Sequence, residues 1–428
     1  MKMEKPRDLQ KKALGCLLAA FAALLLSSEP VRQLSALPET IRISEGSTAR
    51  MSFAWPMTAA VSQDQPVVSS LSETLSDATR LSLTGESEGR ASLTLRLLGF
   101  LPVRTVDIAV DESRVVAPGG QSVGVALSTD GVLVVGLSDP GGTIPSPARL
   151  AGLKAGDIIS AIDGAPLTST AQLTERVASG RPMSLTLERN GARQTLDVAP
   201  VRDAGGSFRL GAWVRDSTAG IGTMTFYDPQ NGGYGALGHA ITDADTGTIL
   251  PVQRGDLMES VVSAIRPGRK GEPGELIGRF TPDSPVLGSI LANNARGIYG
   301  RLDEPLQNEL YPDGVAIMSS GEVQPGPAQL LTTLDGSGVH AYDCEIVRLT
   351  GSPASERGFV LRVTDQALLD RTGGIVQGMS GSPILQNGRL AGAVTHVFVS
   401  DPTRGYGIFI ENMLDALEEA LAASEKAA

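Results

Sequence analysis

Apolar and polar residues alternate at a period of two through much of this chain. From residue 81, LSLTGESEGRASLTLRLLGFLPVRTVDIAV passes through two or three such runs broken by Gly and Pro, the pattern of half-buried strands. Ile41-Arg42-Ile43 and Met51-Ser52-Phe53 predict a further strand pair, and the Ser-rich stretch 57–80 reads as a flexible connector. Residues 115–200 change character. Two strands turn at Thr129-Asp130-Gly131, and a short helix and a Gly turn lead into a strand ending at Asp163-Gly164. A helix over 169–179 follows, with Leu173 and Val177 on one face, and then a hairpin turning at Asn190-Gly191. Residues 204–410 are Gly-rich with short apolar runs, which predicts a β-barrel. The chain ends in a helical pattern, with Asn412 as N-cap and Met413, Leu417 and Leu421 along one side.

One long run is apolar without alternation. Residues 1–12 carry five Lys/Arg and two acids, and residues 13–26 (ALGCLLAAFAALLL) carry no charge. Fourteen helical residues span about 21 Å, short of the roughly 30 Å hydrocarbon core, so the segment reads as an export signal or a marginal anchor. The sequence leaves cleavage or retention open, and everything after it is expected on the outer side of a membrane.

Composition narrows the function classes. Thirty-six Lys+Arg against 47 Asp+Glu give a net charge of −11, so the chain has no global cationic field for nucleic acid. Two cysteines, Cys16 and Cys344, can build neither a disulfide framework nor a Cys-rich metal site, and no cofactor or metal is implied. Three histidines, His239, His340 and His396, are the candidate bases near neutrality.

The candidate chemistry lies in 372–398. In Gly378-Met379-Ser380-Gly381-Ser382-Pro383, glycines flank a serine, which permits a sharp turn that presents its hydroxyl while nearby amides converge. The Gly378 and Ser380 N–H groups are the candidate oxyanion donors, each worth about 3–4 kcal/mol to a developing negative oxygen. Such a serine needs a base, and the base an orienting acid. His239 sits in a small-residue stretch and His396 on a strand near Ser380, and local chemistry alone favours neither.

Residues 115–200 resemble a PDZ domain, most specifically in Ala148–Gly164 (ARLAGLKAGDIISAIDG). That resemblance implies peptide binding by strand addition with capture of a terminal carboxylate, and Val123-Gly124-Val125 is the expected capture loop. Most of residues 100–415 resembles the SpoIVB serine peptidases of sporulation. The likeness rests on GAWVRDSTAGIGT (211–223), LGHAI (237–241), Val363-Thr364-Asp365 and TGGIVQGMSGSPI (372–384). The resemblance implies a mainly β chain: a membrane or signal helix (1–28), a small β region with a flexible connector (29–112), a PDZ-like domain (113–202), and a chymotrypsin-like β-barrel peptidase domain with a C-terminal helix (203–428). It assigns His239 as general base, Asp365 as its orienting acid and Ser380 as nucleophile; the sequence itself also offers Asp343, Asp335 and Asp370 as candidate acids. It further implies a protease secreted or anchored between the forespore and mother-cell membranes. There it would cleave itself and the extracytoplasmic part of a membrane-bound regulator, triggering intramembrane proteolysis and a late sigma factor. A PDZ adaptor with an inactive barrel and an extracytoplasmic quality-control protease are the competing readings. The intact Ser380 and His239 argue against the first, and the PDZ preceding the peptidase argues against the second.

Overall fold

The computed structural model describes residues 37–427 apart from 55, 76–77, 141–143, 253, 282 and 351–355. The expected signal or anchor segment therefore lies outside the described residues. Among those described, no helix is long and apolar enough to cross a membrane.

Alternation in the first hundred residues builds a two-layer sandwich. One sheet holds, in order, Thr40–Ser44, Leu101–Asp111, Gly89–Leu97 and Met57–Ser62; the other holds Thr48–Ala54, Ala78–Gly85 and Val68–Thr74. Ile43, Leu83, Leu93, Leu95 and Ile108 are fully buried between the layers. The connector expected over 57–80 is instead two strands. Met57–Ser62 pairs residue for residue with Leu97–Ser92, while Val68–Thr74 is an edge strand with only Val68 buried, and that polar exposure is what reads as a loop.

The peptidase region is two six-stranded barrels. The second is closed by Gly326–Thr333, Val339–Leu349, Phe359–Val363, Asp401–Phe409, Arg389–Phe398 and Pro383–Gln386. In the first, Ser122–Leu137 is followed by Arg254–Glu259, Val286–Asn294, Gly297–Leu302, Gly233–Ala236 and Ala212–Asp228, and the last pairs back onto the first. Two strands of this barrel are long enough to leave it. Ser122–Ser128 pairs with Thr223–Ser217 inside the barrel, and Leu133–Leu137 pairs with Arg215–Ala212 beyond it. Around that outer half sit Ile158–Ile162, Met183–Arg189, Ala192–Val198 and the helix Thr170–Ala178, on a core of Val132, Ile159, Leu173, Val177 and Leu185. The PDZ unit is thus inserted in the first barrel, and the expected boundaries at 113 and 202 give way to one at about residues 129 and 216.

The C-terminal helix, Ile410–Ala427, buries Met413, Leu414, Leu417 and Leu421 against both barrels. It also meets the sandwich, where Arg42 donates twice to Asp415 at 3.0 and 3.1 Å. Deeper in that interface Arg389 pairs with Glu322, whose side chain is 2% exposed, and donates to the Ser44 hydroxyl at 3.3 Å.

These two ion pairs should differ in strength. Arg389→Ala leaves a buried carboxylate unpaired and is expected to cost about 3–5 kcal/mol. Arg42→Ala, which removes a half-exposed pair, should cost about 1 kcal/mol or less. Urea unfolding of the two variants measures both.

Candidate active site

The imidazole is delivered by a strained turn of the first barrel. After the strand Gly233–Ala236, Leu237 and Gly238 adopt φ of 68° and 70°, a conformation that a leucine resists. Burial of Leu237 and the hydrogen bond from its N–H to the Thr223 carbonyl (3.2 Å) hold it there. A side chain at Gly238 would press on Thr395 and Ile408, so glycine lets the turn lie against the second barrel. His239 then enters the cleft half-buried, its Nδ1 2.8 Å from the Ala240 carbonyl. A carbonyl only accepts, so Nδ1 carries the proton and Nε2 keeps its lone pair.

The serine is delivered by the second barrel and fixed by the first. Gly378 and Gly381 flank Ser380 at φ of 95° and 94°. Thr223 donates through its N–H to the Ser380 carbonyl (3.0 Å) and through its hydroxyl to the Gly378 carbonyl (2.8 Å), and the Thr225 hydroxyl donates to the Gly381 carbonyl (2.8 Å). A hairpin of the first barrel, Val261–Arg266 with Glu275–Arg279, completes the grip. The Leu276 N–H donates to the Gln377 carbonyl and the Gln377 N–H to the Gly274 carbonyl, both at 2.8 Å. A trans peptide points its C=O and N–H in opposite directions, so fixing the Gln377 carbonyl also aims the Gly378 N–H. The Met379 carbonyl, held by the Ser382 N–H at 3.0 Å, aims the Ser380 N–H in the same way. Among the described residues neither the Gly378 nor the Ser380 amide donates to a backbone carbonyl, which leaves both for an oxyanion.

His239, Ser380 and Gly378 line one cleft of about 430 Å³ between the barrels, and His396 lines it too. The two imidazole rings stand 5.1 Å apart. Burial, with a smaller contribution from His239, pushes His396 below the ordinary imidazole value. Among the described residues its buried Nδ1 has no hydrogen-bond partner. Burial disfavours its charged form, which makes His396 the poorer base. His340 stands apart at the exposed start of the strand Val339–Leu349, its Nε2 2.8 Å from the Ser337 hydroxyl. The Ser380 hydroxyl donates to the Thr395 carbonyl at 2.9 Å rather than to an imidazole.

Two other expected placements are not met. Asp365 lies outside the residues lining the cleft; it is the N-cap of the helix Gln366–Thr372, accepting from the Leu368 N–H at 3.0 Å and the Asp343 N–H at 3.3 Å. Asp335 and Asp370 bond to Ser337, Arg371 and Gln366. Val123, Gly124 and Val125 are not a carboxylate loop but part of the first barrel, paired to Gly222–Gly220 on one side and Glu259–Leu257 on the other. An apolar-Gly-apolar triplet suits both settings; here the glycine admits the Phe280 ring, which a Cβ would meet at 2.6 Å. The PDZ cavity, about 850 Å³, lies instead between the helix Thr170–Ala178 and Ala212–Val214, behind the turn at Leu210-Gly211. Trp213, 65% exposed, stands at its rim and donates through Nε1 to the Ser138 hydroxyl. Sequence reasoning missed Thr223, Thr225, Gly274, Leu276 and the carbonyls of Ala240 and Thr395. Most of these act through backbone atoms, which leave no residue-type signal.

A Cβ at Gly274 would strike the backbone of Arg266 and Gly268, so Gly274→Ala should displace the hairpin from Gln377. We expect kcat to fall about 10–100-fold, a partial loss of one oxyanion donor, with KM little changed in steady-state peptide assays. His396 titrates below its unfolded value, so the unfolded chain takes up the proton first and stability falls as pH drops through the ordinary imidazole range near about 6.5. His396→Gln should flatten that decline in denaturant titrations across the same range.

Two regions of the chain resemble known proteins. Residues 206–414 match the model of the SpoIVB peptidase S55 family, and residues 144–189 match a PDZ domain model. No curated protein matches the chain. Among solved structures, the PDZ domain of an SdrC-like protein of Listeria monocytogenes is 25% identical over 20% of this chain and 87% of that one, with a TM-score of 0.18. The region carrying His239 and Ser380 thus resembles the SpoIVB peptidase S55 family of serine peptidases, and the unit set into the first barrel resembles a PDZ domain.

Proposed function

We propose that Ser380 is the nucleophile and His239 the general base of an endopeptidase that cleaves a membrane-bound regulatory protein, and its own chain, in sporulation signalling outside the cytoplasm. The observation that carries the catalytic part is the pairing of an imidazole tied through Nδ1–H to Ala240 with a serine whose loop leaves the Gly378 and Ser380 amides free of backbone partners. In the arrangement described, the hydroxyl is parked on the Thr395 carbonyl. A peptide entering the cleft brings an N–H that competes for this carbonyl, and the hydroxyl turns toward His239. The imidazole Nε2 takes the proton as Oγ attacks the scissile carbonyl, the two amides hold the oxyanion, and the same proton passes to the leaving amine.

Asp365 enters as a positioning residue. Its cap starts the helix Gln366–Thr372, and the chain leaves that helix through Gly373 and Gly374 into the nucleophile loop. The signalling role is supported by the family match and by the PDZ cavity, which is suited to an extended protein segment. The charge-free run at 13–26 supports a place outside the cytoplasm.

Ser380→Ala should lower kcat on the order of a million-fold with the unfolding midpoint unchanged. It should also accumulate as the unprocessed chain when wild-type fragments are compared with it by mass spectrometry. Wild-type turnover in this variant would remove Ser380 from the mechanism. Asp365→Asn keeps a capping oxygen and should hold activity within about tenfold, whereas a carboxylate that orients the imidazole would show a loss of about ten-thousand-fold.

A further inference from the structure

The sandwich carries an apolar feature that the peptidase reading does not use. The strands Gly89–Leu97 and Leu101–Asp111 turn over Leu98 and Gly99, at φ of 53° and 80°. A turn of this hand ordinarily takes Asn-Gly or Asp-Gly, because a polar side chain is comfortable in water and tolerates positive φ. Here the left-handed position holds a leucine that is 57% exposed. Phe100 is 72% exposed, Leu101 50% and Val103 40%, and the seven residues from Leu97 to Val103 include no charge. In water the tip gains nothing from this composition, and the strain at Leu98 is not offset by burial.

Charge and chain path both point to one occupant. Arg96 and Arg104 stand just behind the tip, one on each strand, opposite Pro102 and Leu95, which is where headgroup phosphates would lie if the tip entered hydrocarbon. The chain also enters the sandwich at this end. Arg104 donates to the Leu37 carbonyl at 2.6 Å, and Thr40–Ser44 runs parallel to Leu101–Asp111 with Thr40 beside Asp107. Leu37 is therefore only about 13 Å along the strand from Phe100. The charge-free run ends at residue 26, and the ten residues from 27 to 36 reach at most about 35 Å. Leu75, 38% exposed, belongs to the same end: its N–H bonds to the Ala78 carbonyl, Ala78 pairs with Ala54, and the Leu98 N–H bonds to the Pro56 carbonyl.

We propose that the Leu97–Val103 tip inserts into the membrane that the 13–26 run enters, giving the protease a second attachment point beside its N-terminal one. This rests on reading 13–26 as a membrane segment. One apolar anchor holds a protein loosely and leaves it free to swivel, whereas a second contact fixes which face of the sandwich meets the lipid. The cleft then has a set orientation above the bilayer. A second copy of the chain pairing through the same tip is the competing occupant.

The test uses the full chain with Cys16→Ser, leaving Cys344 buried, and an environment-sensitive NBD label at Phe100→Cys or, at the opposite end of the sandwich, at Glu88→Cys. Phosphatidylcholine vesicles with and without phosphatidylglycerol supply the bilayer, and lipids spin-labelled in the acyl chain supply the quencher. The proposal expects blue-shifted, quenched emission at position 100 and unchanged emission at position 88. A chain that floats with vesicles while position 100 stays wet would overturn the proposal and leave the anchor reading standing. A chain that neither floats nor inserts would overturn both. Concentration-dependent shielding at position 100 without lipid would replace the bilayer with a second copy.

Discussion

The nucleophile loop belongs to the second barrel, yet its backbone is held by the first. Thr223 and Thr225 anchor the carbonyls of Gly378, Ser380 and Gly381, and the hairpin segment Gly274–Leu276 brackets Gln377 on both its N–H and its C=O. Of the two proposed oxyanion donors, the Gly378 N–H is thus aimed by a hydrogen bond from the Leu276 hairpin, while the Ser380 N–H is aimed within its own loop by Ser382 and the Ser380 carbonyl is pinned across the interface by Thr223. An oxyanion hole is effective only if its dipoles are oriented before charge develops, and here that orientation costs nothing at the moment of reaction because packing has already imposed it. His239 obeys the same constraint from the other direction, since its turn fits only because Gly238 lies against Thr395 and Ile408. The site exists where two surfaces meet and in neither barrel alone.

The strand Ala212–Asp228 carries this constraint into the rest of the molecule. Its first residues, Ala212–Val214, wall the PDZ cavity, Thr218–Ile221 wall the catalytic cleft, and Thr223 and Thr225 hold the nucleophile loop. Arg215, between the first two, pairs with the buried Asp243 carboxylate in the loop that follows His239. The walls of the PDZ cavity and of the cleft that holds Ser380 and His239 are therefore successive stretches of one strand.

Much of this was legible from residue order. Alternation located the sandwich strands, the run from Ala148 to Gly164 located the PDZ unit, and Met413, Leu417 and Leu421 face the core as their spacing requires. Ser380 and His239 share a cleft because glycine-flanked stretches mark turns that approach a neighbour closely. What stayed hidden depends on pairing between distant segments. Nothing local shows that Val123–Val125 pairs with Gly222–Gly220 across the whole inserted domain, so an apolar-Gly-apolar strand reads as a loop. Val68–Thr74 reads as a linker because a strand at a sheet edge with six exposed residues has no apolar face to show. Asp365 is half-buried at a helix start, where an aspartate after a strand is as well explained by capping as by catalysis.

The central claim is that an activated alcohol at Ser380 depends on the His239 imidazole across the barrel interface. Labelling with a fluorophosphonate, followed by peptide mass spectrometry, reports it directly, because phosphonylation requires both the nucleophile and its base. We predict a single adduct on Ser380 in the wild-type chain and none in His239→Gln. An adduct on a different serine, or equal labelling of Ser380 without the imidazole, would contradict it.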